Sequence, residues 1–89
     1  METNLRLTSN DNKLFEYDGQ LYITCQNAIW TCKKVDTNIT FEEALKQCLK
    51  EISEYANNNN YDVAIPYRNK NNFFKYEFMI KFANKKEEK

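Results

Sequence analysis

Apolar and polar residues alternate strictly in the last apolar segment, with Phe74, Tyr76, Phe78, Ile80 and Phe82 interleaved by Lys75, Glu77, Met79 and Lys81. A period of two predicts a half-buried β-strand whose aromatic series faces a core. Upstream, Tyr61–Arg68 predicts a fourth strand with Val63, Ile65 and Tyr67 inward. Pro66 falls on the opposite parity and, having no N–H for a ladder, requires an edge or a bulge. Asn69–Asn72 supplies the turn between the two. Near the start, Asp18-Gly19 separates Leu14–Tyr17 from Gln20–Ile23. That dipeptide suits a type I′ turn, which needs positive φ at both central residues. It sets the pairs Tyr17 with Gln20, Glu16 with Leu21, Phe15 with Tyr22 and Leu14 with Ile23. A third strand is expected over Ala28–Val35 after a turn at Gln26-Asn27, with Trp30 beside Ile23 and Cys32 beside Leu21 on the core side.

Between these hairpins the period changes from two to three or four. Phe41, Ala44, Leu45, Cys48, Leu49, Ile52, Tyr55 and Ala56 form a continuous helical stripe, with Lys46, Lys50, Glu51 and Glu54 outside it. Thr40 is placed as N-cap and Glu43 as its capping-box partner, with Glu42 and Glu43 in the first turn, where the helix dipole favours acids. Asn57–Asn60 end the helix, because asparagine tolerates the left-handed region. The predicted architecture is α+β: a five-stranded, mostly antiparallel sheet in βββ-α-ββ order with one amphipathic helix on one face. Residues 1–12 are read as a frayed end or a short edge strand, and the Lys/Glu tail after Ala83 as disordered.

At 89 residues the chain is one domain, near the lower size for a self-sufficient core, which makes a homodimer or a complex an attractive source of extra burial. Thirteen basic residues balance thirteen acidic ones, so the whole chain lacks the field of a dedicated DNA or membrane-surface binder. The balance is uneven along the chain. Residues 1–60 hold nine acids and six bases, and residues 61–89 four acids and seven bases. Cys25, Cys32 and Cys48 are an odd set behind a polar N-terminus, and read as small buried hydrophobes in a reducing, cytoplasmic setting. Thirteen asparagines with one Gly, one Pro and no His suggest an A/T-rich coding source, such as a low-GC bacterium or its phages.

The chemistry available is narrow. Without histidine, imidazole bases, Ser-His and Cys-His nucleophiles and histidine metal sites are excluded. Cysteine spacings of seven and sixteen match no common zinc module, and a single glycine makes no phosphate-cradling loop. The neighbours Glu42 and Glu43 point about 100° apart on a helix and serve its dipole rather than acid/base work. Asn10-Asp11-Asn12 resembles the start of a calcium loop, but the glycine and closing glutamate of such a loop are misplaced. The expectation is no enzyme, no cofactor and no metal.

A single helix covers one face of a sheet. The expected registers put Phe15, Tyr17, Tyr22, Ile29 and Val35 on the other face, beside Lys13, Thr24, Thr31 and Lys33, joined from the second hairpin by Lys75, Glu77, Met79, Lys81, Ala64 and Arg68. An open face with aromatic and aliphatic residues and a mixed-charge rim has the composition of an interface. Phe15, Tyr17, Tyr22, Ile29, Lys33 and Met79 are the residues expected to touch a partner. The function expected is a small non-enzymatic protein-binding module that occludes a partner, such as a host defence or regulatory protein, with phage and mobile-element inhibitors, anti-CRISPR proteins among them, as instances. The alternative is a single-stranded nucleic-acid module that stacks bases on Phe15, Tyr17 and Tyr22 and holds phosphates with Lys13, Lys33, Lys75 and Lys81.

Overall fold

The computed structural model describes residues 2–34 and 38–86. Its elements are β1 (Glu2–Ser9), β2 (Leu14–Tyr17), β3 (Gln20–Lys33), α1 (Phe41–Asn58), β4 (Val63–Asn71) and β5 (Lys75–Lys85). They form a five-stranded antiparallel sheet with α1 on one face, an α+β domain. Along the sheet the order is β1-β3-β5-β4, and β2 shares the outer edge of β3 with β1. The N-terminal segment is therefore an ordered edge strand, with Leu5 opposite Trp30 and Arg6 opposite Ile29.

The Asp18-Gly19 turn forms as its chemistry demands, with φ of 52° and 77° and all four expected pairs in place. The third strand differs from expectation. No turn occurs at Gln26-Asn27; β3 is one strand of 14 residues with a bulge at Cys25, between the pairs Thr24↔Ala83 and Gln26↔Phe82. Gln26 and Asn27 instead anchor the end of β1, donating to Ser9 O at 3.0 Å and Ser9 Oγ at 3.1 Å. Trp30 is therefore opposite Phe78 and Leu5 rather than Ile23, and Cys32 is opposite Tyr76. The expected strand end at Val35 lies outside the described residues.

Helix α1 starts where expected, with Thr40 Oγ1 accepting from Glu43 N at 3.2 Å, and closes on Asn59 with Asn60 at φ 61°. Its inner face of Ala44, Cys48, Ile52 and Ala56 packs on Ala28, Trp30, Cys32, Tyr76, Phe78, Ile80 and Phe82. Glu51 belongs inside rather than outside this interface: Trp30 Nε1 donates to it at 2.7 Å and Thr3 Oγ1 at 2.8 Å. One half-buried carboxylate thus ties β1, β3 and α1 together and satisfies an indole N–H that burial would otherwise orphan.

Strand β4 is inverted relative to expectation. Ala64 pairs with Phe82 and Pro66 with Ile80, so these face the helix, while Val63 and Ile65 face away with Ala83 and Lys81. Pro66 does lie on an edge strand and beside a bulge, which falls at Tyr67. Ile65 is nevertheless buried on that side. Phe15 of β2 and Tyr67 of β4, separated by two strands, both lie within 5 Å of Lys81 Nζ, at 4.8 and 4.9 Å. Beneath them Tyr22, Thr24, Ile65 and Ala83 form a second buried patch on the face opposite the helix. Bulges bend and twist a strand, and the one at Cys25 lies between the half of β3 that pairs with β2 and the half that pairs with β1. The disorder expected directly after Ala83 is not found at Asn84–Lys86: Asn84 and Lys85 continue β5, and Lys86 N bonds to Leu21 O at 2.9 Å; residues 87–89 lie outside the described residues.

Candidate partner-binding surface

The β4–β5 hairpin ends in a two-residue loop, Phe73-Phe74. Asn72 N donates to Lys75 O at 3.0 Å, and Asn72 Oδ1 accepts from both Phe74 N and Lys75 N at 2.8 Å. This side chain replaces the turn glycine, so neither phenylalanine adopts a positive φ. From the end of β3, Lys34 N donates to Phe74 O at 2.8 Å and Lys34 Nζ to Asn72 O at 3.1 Å, while Lys34 Nζ also lies 3.9 Å from the centre of the Tyr76 ring. The loop backbone is thereby held on three sides.

Its two rings are not. Phe73 is 85 % exposed and Phe74 74 % exposed, and they touch only edge to face, with centroids 5.2 Å apart. The inward assignment of Phe74 is thus overturned. Phe41 at the start of α1 reaches Tyr76 and Phe78, at 5.8 and 5.5 Å between ring centroids, and Tyr76 OH donates to Ile39 O at 3.1 Å. Phe74 lies beyond that cover. A recess of about 320 Å³ beside it is lined by Lys33, Lys34, Phe74 and Lys75. The sequence reading missed this tip because Phe74 continues the alternation of β5. The asparagine run signals a turn in this stretch, expected at Asn69–Asn72; the bonds that Asn72 Oδ1 accepts from Phe74 N and Lys75 N set the loop at Phe73-Phe74 instead.

The six residues expected to touch a partner all lie on the sheet face away from α1, but not as one patch. Ile29 and Met79 are direct cross-strand partners at its centre, and Lys33 is opposite Lys75 toward the tip. Phe15 and Tyr17 lie at the Asp18-Gly19 end, both against Tyr22, with Phe15 stacked on it at 5.7 Å. Tyr22 is only 6 % exposed, so its ring is used inside the fold and offers no contact surface. Ala64 is on the helix side, and Val35 lies outside the described residues.

Among the described residues, groups able to do chemistry do not converge. All three cysteines are free, and Cys32 and Cys48 are buried; burial pushes the Cys32 thiol up and that of Cys48 up to about 12, which holds both protonated and poorly nucleophilic at neutral pH. Among the described residues no three His, Cys, Asp or Glu side chains cluster as metal ligands. A concavity of about 810 Å³ is at the Asp18-Gly19 end and is lined by Glu16, Asp62, Lys85 and Lys86 among others. Asp62 there accepts from Lys85 N at 2.8 Å, closing the sheet. No described helix is long and apolar enough to cross a membrane. Comparison with protein-family models, with curated proteins and with solved structures finds no match to this chain.

Proposed function

We propose that this chain is a non-enzymatic protein-binding module that occludes a partner's surface, with the Phe73-Phe74 tip as its anchor. The exposure of those two rings on a braced loop carries the reading. Covering a phenylalanine releases roughly 1.5–3 kcal/mol, and the fold leaves that gain untaken twice at adjacent positions. Because Asn72 and Lys34 already hold the backbone, little conformational freedom is lost on docking. Aromatic anchors entering a partner's pocket, with charge at the rim, are the usual energetic centre of such interfaces. Inhibition of a host defence or regulatory protein by a phage or mobile-element product, anti-CRISPR activity included, is the instance this mode of action suits.

The test is affinity capture from a low-GC bacterial lysate, with and without nuclease, using the natural chain and a Phe73→Ser/Phe74→Ser variant of matching circular dichroism. A protein held by the natural chain after nuclease and lost by the variant is expected. Identical capture by both chains, or capture that disappears with nuclease, refutes the tip-anchored reading.

A further inference from the structure

From the charge pattern of the uncovered face we infer that it binds a single-stranded nucleic acid, with phosphates on Arg6, Lys33, Arg68, Lys70, Lys75 and Lys81 and bases over the apolar row between the two arginines. This goes beyond the partner-protein reading and uses none of the tip's rings, so either can fail alone.

The chain is neutral overall, but the sheet registers sort its charges. Arg6 and Arg68 fall on the open face as the partners of Ile29 and Met79, Lys33 pairs with Lys75, Lys70 with Glu77, and Lys81 with Ile65. Against these six bases that face carries Glu77, tied to Lys75 at 2.8 Å, and at the β1 edge the register position of Glu2, opposite Lys33. The helix on the opposite side carries Glu42, Glu43, Glu51 and Glu54 against Lys46 and Lys50. Lys33 lies directly opposite Lys75, a like-charge pair that a ladder disfavours, with Glu77 holding Lys75 from the side.

The chemistry between the charges selects the occupant. One row across the sheet reads Arg6, Ile29, Met79, Arg68, an apolar floor flanked by two planar guanidinium groups. Next to it Lys81 lies between the Phe15 and Tyr67 rings. Unpaired bases need flat apolar or π surfaces alternating with cations that follow a backbone. An acidic protein surface needs the cations alone. Tyr22 drops out of the nucleic-acid surface expected from the sequence, by burial. Arg6, Arg68 and Lys70 enter it.

Fluorescence anisotropy with labelled oligo-uridine and oligo-thymidine tests this. If all six bases meet phosphates, log affinity falls with log salt at a slope of about −4. An Arg6→Gln/Arg68→Gln/Lys81→Gln variant halves that slope to about −2, whereas Lys46→Gln/Lys50→Gln on the helix leaves it unchanged. The inference is overturned if neither oligonucleotide binds at low salt, if both variants alter the slope equally, or if polyglutamate competes as well as oligo-uridine, which reassigns the face to an acidic protein.

Discussion

The two hairpin loops of this sheet are each two residues long and are built from opposite materials. Asp18-Gly19 uses residues whose backbones accept positive φ, and a Cβ added at Gly19 meets nothing within 4 Å, so the loop is shaped by conformation alone. Phe73-Phe74 uses residues with no turn preference and recruits Asn72 and Lys34 to hold them. A turn made only to reverse the chain is cheapest with glycine. When a loop instead carries two large apolar rings into solvent and needs outside bonds to do so, the rings answer to something other than folding. The difference separates a loop that makes the sheet from a loop that the sheet presents.

Four variants test that separation. Phe78→Ala, in the strand that leads out of the tip, removes a buried ring packed on Trp30 and Phe41, and a loss of about 3–5 kcal/mol in urea unfolding is expected. Gly19→Val places a β-branched residue at φ 77° and should cost about 1–3 kcal/mol by the same measurement; a neutral result would mean the first hairpin is not held by its turn. Asn72→Ala removes the acceptor of two loop N–H groups, with about 1 kcal/mol lost and faster amide exchange expected at Phe74 and Lys75. Phe73→Ser/Phe74→Ser should lie within about 0.5 kcal/mol of the natural chain. A loss comparable to that of Phe78→Ala would place the tip in the fold's own core and end the comparison.

Local chemistry accounts for what was legible in the sequence. The first hairpin, its register and the helix with its Thr40 cap follow from residues within a few positions of one another. What was not legible depends on distant partners. The bulge at Cys25 reverses the parity of β3 without any glycine to announce it, where the strand passes from pairing with β2 to pairing with β1. The inversion of β4 shows in its pairing at the edge, where Pro66 lies on the helix side and Ile65 is buried on the other, in the patch with Tyr22, Thr24 and Ala83. Glu51 resembles any solvent-facing glutamate until Trp30 and Thr3 are brought to it by strand pairing. For the candidate surfaces, the side of the sheet was readable from alternation. The exposure of Phe74 was not, because alternation says which way a residue points and nothing about how far the helix reaches.

The register of β1 decides where attached sequence emerges. Glu2 is opposite Lys33, whose neighbour Lys34 bonds to Phe74, whereas Lys86 bonds to Leu21 beside the Asp18-Gly19 turn. These are opposite ends of a molecule 51 Å long and 22 Å wide. An affinity tag or fluorescent protein joined ahead of Glu2 hangs next to the phenylalanine tip and shields it, while one joined after Lys86 leaves the tip clear. Capture by a C-terminally tagged chain and failure of the N-terminally tagged one would therefore map the contact to the tip end before any residue is changed.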